Sequence, residues 1–169
     1  VWSGDDNTAP LTNGEEEIFG QRINAPTGLE VGSNDMRLSD AGPDGSGGYD
    51  ARMPDVTYNS RDNEYLVVWS GEDNMGGIVA DEIEIFGQRL SALNGLPLGA
   101  NDFRISHVAQ DGNLLYSGFA PAVAYSQQIN EYLVTWHSDD NINGFIDDEF
   151  EVYGPVSYTH LTLPTTYGV

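Results

Sequence analysis

The sequence predicts an all-β protein built from a repeated unit of four short strands, and three observations carry that prediction. The tryptophans Trp2, Trp69 and Trp136 stand 67 residues apart. Residues 1–67 and 68–134 align without a gap, and 32 of the 67 pairs are identical. Within each unit, short runs rich in β-branched and aromatic residues alternate with turn residues, and no segment keeps a helical period.

The strands follow in order. The first is Pro54-Asp55-Val56-Thr57-Tyr58, repeated as Pro121-Ala122-Val123-Ala124-Tyr125. A tight turn, Asn59 to Asn63, leads into the second, Glu64 to Ser70, repeated as Glu131 to His137. That strand is apolar on both faces (Tyr65, Val67 and Trp69 against Leu66 and Val68), which predicts burial on both sides. The third is Glu84 to Leu90, whose Ile85-Phe86-Gly87-Gln88-Arg89 repeats Ile18-Phe19-Gly20-Gln21-Arg22. The Gly-containing segment Ser91 to Ala100 then leads to the fourth, Asp102 to Ser106. Asn-Gly at Asn13-Gly14, Asn94-Gly95 and Asn143-Gly144 is hairpin turn chemistry.

Four-stranded units repeating at this length read as β-propeller blades, each burying its faces against its neighbours. The expected fold is a fragment of a β-propeller, about two and a third blades, with a β-sandwich or an open β-solenoid as alternatives. The repeats occupy 1–67, 68–134 and, in part, 135–154. After Gly154 the repeat predicts Gln-Arg, but the sequence has Pro155-Val156, and residues 155–169, including His160, match nothing earlier. That tail resembles translated sequencing-adapter read-through of the kind that ends metagenomic reading frames, and is set aside as an artefact.

The pattern Tyr65-Leu66-Val67-Val68-Trp69, acidic loop, Glu84-Ile85-Phe86-Gly87-Gln88-Arg89, then Gly95 and Gly99, resembles repeats of large secreted bacterial and archaeal proteins. The resemblance covers residues 1–154. It implies an extracellular propeller joined to adhesion or anchoring modules, a secreted or cell-surface location, and no catalytic assignment.

Charge narrows the partners. With 27 Asp+Glu against 6 Lys+Arg, every one an arginine, the formal net charge is −21. A chain so acidic offers no basic patch for nucleic-acid phosphates or an anionic membrane surface. No apolar run approaches the ~20 residues of a membrane span, and cysteine is absent. In an antiparallel meander, the second-to-third and fourth-to-first connections share one edge of the sheet. Sixteen of the acids fall in the second-to-third connections: five in residues 4–17, five in 71–84 and six in 138–151. Like charges this dense repel unless a cation neutralises them.

Ca²⁺, a hard cation that takes six to eight oxygens, is the expected ion. The third loop opens like an EF-hand loop, with Asp139, Asn141, Asn143 and Asp147 at ligand positions, Gly144 at the turn and Ile146 after it. The closing position is Phe150 rather than Glu, flanked by Glu149 and Glu151. The candidate calcium ligands are therefore Asp139, Asn141, Asn143, Asp147, Glu149 and Glu151, with a solvated acidic face as the competing reading. The first two loops lack the alternating pattern and read as solvated acidic surface.

Other residues carry less. Arg22/Arg89 and Arg37/Arg104 recur at the repeat spacing and read as structural, pairing with Asp35/Asp102 or with neighbouring acids. Arg52 and Arg61 do not recur and read as surface charges. The tryptophans read as blade packing rather than sugar platforms. His107 and His137 have no second ligand at metal spacing, so zinc is not expected. No nucleophile elbow, P-loop or dinucleotide fingerprint occurs. The expected function is a non-catalytic extracellular module for binding, adhesion or scaffolding. Its partners would be a carbohydrate or protein ligand and the remaining blades of a longer chain. The alternative is a piece of a secreted carbohydrate-active hydrolase.

Overall fold

The structure, a computed structural model, describes residues 1–108, 110–139 and 150–154. The tail 155–169 and most of the third acidic loop lie outside these residues. Ten strands form three antiparallel sheets, and no helix occurs among the described residues. The first sheet holds β1 (Trp2–Asp5), β2 (Glu16–Ile23) and β3 (Glu30–Arg37) in that order. The second holds β4 (Ala51–Asn59), β5 (Glu64–Gly71), β6 (Glu84–Ser91) and β7 (Pro97–Arg104). The third holds β8 (Gly118–Ser126), β9 (Glu131–Asp139) and β10 (Phe150–Tyr153). Each sheet is an open meander, and the three stack face to face in chain order.

β5 shows why the sheets stack. Its side chains alternate between two cores. Val67 and Trp69 join Phe86 and Leu90 against Ile18 and Leu38 of the first sheet. Leu66 and Val68 join Ile85 and Ile105 against Tyr132, Val134 and Trp136 of the third. All of these are buried, and burying one such side chain is worth about 1.5–3 kcal/mol. A sheet apolar on both faces has to be covered twice, and its neighbours do so with equivalent residues. Each tryptophan stacks on its cross-strand partner: Trp2 on Phe19, Trp69 on Phe86 and Trp136 on Tyr153, at 6.3, 6.5 and 6.4 Å. Trp69 and Trp136 are buried in the joints between sheets, as expected, whereas Trp2 is 39% exposed.

Irregularities repeat too. The β4–β5 ladder shifts between Arg52 and Asp55, where Met53 has φ 54°, and the β8–β9 ladder between Phe119 and Ala122, where Ala120 has φ 46°. The second bulge turns the Ala120 N–H toward the Ser70 hydroxyl of β5, a bond of 3.0 Å between sheets. Asp35 and Asp102 sit at the matching bulges of β3 and β7, with φ 47° and 45°. The fourth strand is longer than the sequence suggests. It begins at Pro97 rather than Asp102, because Pro97 and Leu98 pair with Leu90 and Arg89 beyond the bulge. Much of the segment expected to connect the third and fourth strands is thus strand itself.

The turn from β4 to β5 is held by Asn59, whose side-chain oxygen accepts the N–H groups of Arg61 and Asp62 at 2.9 and 3.0 Å. Its last residue, Asn63, is left-handed and accepts the Tyr58 hydroxyl at 2.9 Å. Asn130 accepts Tyr125 in the same way at 2.8 Å.

Candidate functional site

The β1–β2 and β5–β6 connections emerge beside the β3–β4 and β7–β8 connections, on the edge where the acids concentrate. The first two loops are not the solvated surface that their composition suggests. Asp5, Asp6 and Asp81 are exposed, but Glu15, Glu17, Asp73, Glu82 and Glu84 are buried. A buried carboxylate is costly unless its oxygens receive hydrogen bonds, and the donors come from the facing loop.

Glu84 stands at the start of β6. Its carboxylate accepts the Ser106 hydroxyl, the Val108 N–H at 3.1 Å and the Arg104 guanidinium. The Ser106 oxygen in turn accepts the Ile85 N–H at 2.7 Å, and Arg104 also reaches Asp111 at 2.6 Å. Sixty-seven residues earlier the arrangement recurs. Glu17 accepts Ser39 and the Ala41 N–H at 3.2 Å, Ser39 accepts the Ile18 N–H at 2.7 Å, and Arg37 lies 3.9 Å away while reaching Asp40 and Asp44. Burial pushes the Glu17 carboxyl above its usual range against the pull of Ser39, Ala41 and Arg37.

A second carboxylate clasps the same loops two residues earlier. Glu15 accepts the Gly45 N–H at 3.0 Å and the Thr12 N–H at 3.0 Å, and Glu82 accepts those of Gly112 at 2.8 Å and Val79 at 3.2 Å. Thr12 adds its hydroxyl to Glu15 Oε2 at 3.3 Å, where its counterpart Val79 has none; Glu15 Oε1 also takes the Gly45 N–H at 3.2 Å, while Glu82 Oε1 has no partner. At the loop mouths Asp5 accepts the Gly14 N–H and Glu72 the Asp81 N–H, both at 2.8 Å. Glu15, Glu17, Glu82 and Glu84 thus take amide donors from the facing loop, fastening loop to loop, while Asp5 and Glu72 brace their own loops.

Two acids lie where the first sheet meets the second. Asp102 is buried and accepts the Asp40 N–H at 2.5 Å, while its Oδ1 has no partner. Desolvation, with Glu17, Asp40 and Asp73 nearby, pushes its carboxyl up to about 7. Burial likewise raises Asp73, which accepts the Asn74 N–H at 2.6 Å.

Of the six candidate calcium ligands, Asn141, Asn143, Asp147 and Glu149 lie outside the described residues. Asp139 ends β9, and Glu151 lies in β10 opposite Ser138. Among the described residues no group of three or more Asp, Glu or His side chains comes together to hold a metal ion.

Of the two sets of partners expected for the recurring arginines, Arg37 and Arg104 take the neighbouring acids. Arg37 and Arg104 take Asp40, Asp44, Glu84 and Asp111, not Asp35 or Asp102. Arg52 is a surface charge, 53% exposed, and bridges Glu16 and Asp50 at 2.5 and 2.8 Å. Arg89 grips the buried Glu64 at 2.8 Å, and Glu64 also accepts the Tyr132 hydroxyl of the third sheet at 3.0 Å. Arg22 instead donates to the Ala92 and Leu93 carbonyls, at 3.2 and 3.0 Å. The Glu64–Arg89–Tyr132 group lines a cavity of about 170 Å³ between the second and third sheets. An equivalent cleft of about 460 Å³ lies between the first and second, lined by Arg22, Met36 and Tyr65. Both sit at the same place on the repeat.

Sequence reasoning overlooked Ser39, Ser106 and Glu64 as anchors, although all three were in view as recurring residues at the repeat spacing. Comparison with protein-family models, with curated proteins and with solved structures gives no match.

Proposed function

We propose that the chain is a non-catalytic extracellular repeat module of the β-propeller type, for binding, adhesion or scaffolding. One observation carries this reading: the Glu–Ser–amide clasp at Glu17 is rebuilt at Glu84, with the same residues in the same roles. A hydrolase needs one asymmetric pair of carboxylates set around a substrate. A repeated, buried and amide-saturated carboxylate instead serves to hold loops at a fixed height, presenting one edge of the sheets as a surface. Stacked sheets that share equivalent cores are also what a propeller asks of its blades.

The ligand classes proposed for that edge are a carbohydrate or an extracellular protein. Ca²⁺ is proposed for the third loop alone, where Asp139, Asn141, Asn143, Asp147, Glu149 and Glu151 supply the oxygens. A panel of soluble polysaccharides tests the reading: binding without release of reducing ends is expected. Turnover that a single carboxylate substitution abolishes overturns it in favour of a carbohydrate-active hydrolase.

A further inference from the structure

The second repeat carries an apolar tip that the first repeat lacks. It lies on the acidic edge, where the β5–β6 loop meets the β7–β8 loop. Met75 and Val79 are 51% and 41% exposed on the first of these loops, and Leu114 and Leu115 51% and 76% on the second. The two loops are held side by side. Glu82 Oε2 accepts both the Val79 N–H, at 3.2 Å, and the Gly112 N–H, at 2.8 Å. The Asp111 carboxylate lies against Gly77, 3.3 Å from where a Cβ would stand. Ile78 and Tyr116, both buried, anchor the loops from beneath.

The first repeat shows that these outer side chains are not needed to build the loops. Sixty-seven residues earlier the anchors persist as Leu11 and Tyr49, but the four outer positions are Thr8, Thr12, Gly47 and Gly48. The clasp forms there all the same, with Glu15 taking the Thr12 and Gly45 amides. Apolar groups clustered in water within a polar rim mark an interaction surface. The ends of the chain do not make them bare. The β5–β6 loop follows the first repeat as the β9–β10 loop follows the second, and it does not crowd the equivalent positions. The nearest atoms to a Cβ at Gly47 belong to Asn13 and Gly14 of its own repeat, and a Cβ at Gly48 would meet only Ser46.

Charge says what covers the tip. Asp81 and Asp111 are exposed beside it, and Glu72 is half-buried at the mouth of the first loop. Neither residues 71–84 nor residues 107–117 contain a lysine or arginine. Arg104, which reaches the second loop, is already paired with Glu84 and Asp111. A second copy of this chain would set these acids against their own kind, at a net charge of −21 per copy. The complement is an apolar centre with cationic flanks.

We infer that the tip formed by Met75, Val79, Leu114 and Leu115 docks a cationic amphipathic segment of a protein partner. Its apolar side chains sit on the tip and its lysines or arginines face Asp81 and Asp111. The inference rests on the binding-module reading above and names the chemistry of the protein ligand.

Fluorescence anisotropy with a labelled peptide of alternating leucine and lysine, at physiological ionic strength, tests it. The chain is expected to bind this peptide at least about tenfold more tightly than an all-lysine peptide of equal charge. Met75→Thr combined with Leu115→Ser is expected to abolish that preference, and Leu114→Ser alone to reduce it. Leu93→Ser, at an exposed leucine on the opposite edge, is expected to leave it unchanged, and circular dichroism verifies that each variant folds. Equal affinity for the two peptides, or binding of neither, overturns the proposal. So does a preference that survives the double substitution or falls equally with Leu93→Ser. Sedimentation that shows self-association lost in the double variant assigns the tip to a second copy and also overturns it. Polysaccharide turnover would strike the module reading, whereas peptide failure without turnover strikes this inference alone.

Discussion

Ser106 stands between a backbone amide and the Glu84 carboxylate: its oxygen accepts the Ile85 N–H at 2.7 Å while its proton goes to Glu84. The relay joins the end of the fourth strand to the beginning of the third, and Glu84 extends it to the next loop through Val108. Ser39 does the same between Ile18 and Glu17.

Removing the relay leaves the buried Ile85 N–H unpaired and takes one donor from the Glu84 Oε2 atom, which keeps the Val108 N–H at 3.2 Å. Ser106→Ala is expected to cost about 1–3 kcal/mol, and Ser39→Ala a similar amount at the first repeat. Urea unfolding measures both. A loss confined to one site would mean that the two clasps are not equivalent.

Asp102 sets a pH dependence. Its carboxyl lies near 3.8 when unfolded and about 7 when folded, raised first by desolvation and then by Glu17, Asp40 and Asp73. The folded state thus holds the proton more tightly. The stability that this proton supplies is complete below about pH 4 and is lost as pH rises toward 7. Asp102→Asn keeps an acceptor for the Asp40 N–H without the charge. It is expected to match the parent near pH 4 and to exceed it by about 1–3 kcal/mol at pH 8. Chemical unfolding at both values reads the difference, and equal stability at pH 8 would remove the charge from the account.

Glu64 is buried between Arg89 and Tyr132, so its two partners differ in weight. Tyr132→Phe removes one hydrogen bond across the sheet joint, about 1 kcal/mol. Arg89→Met leaves Glu64 without its counter-charge and is expected to cost more, about 2–3 kcal/mol. Thermal melting ranks them, and a harsher Tyr132→Phe would reverse the assignment.

Calcium is expected to act through the third loop. Adding Ca²⁺ in the millimolar range should raise the melting temperature and chelator should reverse it, with an affinity of ~10⁻⁴–10⁻³ M as in extracellular modules. Asp147→Asn should weaken the shift. A melting temperature indifferent to both additions removes the ion.

Val79 offers a repair. Its counterpart Thr12 gives Glu15 Oε2 a hydroxyl beside the amide donors, and the matching Glu82 Oε2 takes amide donors alone. Val79→Thr is expected to stabilise by about 0.5–1.5 kcal/mol, measured by urea unfolding. An unchanged midpoint would mean that the hydroxyl does not reach.

Much of the fold was legible because repetition and alternation are local properties. The spacing of Trp2, Trp69 and Trp136 marks the unit, and the two apolar faces of Glu64 to Ser70 foretell a strand covered on both sides. The start of the fourth strand was not legible, since the ladder from Pro97 and Leu98 to Leu90 and Arg89 resumes only beyond a bulge. Which of the two expected sets of acids the arginines take was not legible for a similar reason. Residues two apart share a face of a regular strand, but Asp102 is left-handed at the bulge of β7, and the carboxylates that Arg104 meets come from β6 and the loop after β7.

The acids divide the two kinds of knowledge most sharply. Sequence alone established their number, the concentration of 16 of the 27 in three equivalent loops and the net charge of −21. Only the tertiary structure decided that Glu15, Glu17, Glu82 and Glu84 point inward. A carboxylate is buried or solvated according to the donors that meet it, and these donors lie more than twenty residues away, at Ser39, Ala41 and Gly45 and at Ser106, Val108 and Gly112. Composition records the charge, while folding supplies the amides that answer it.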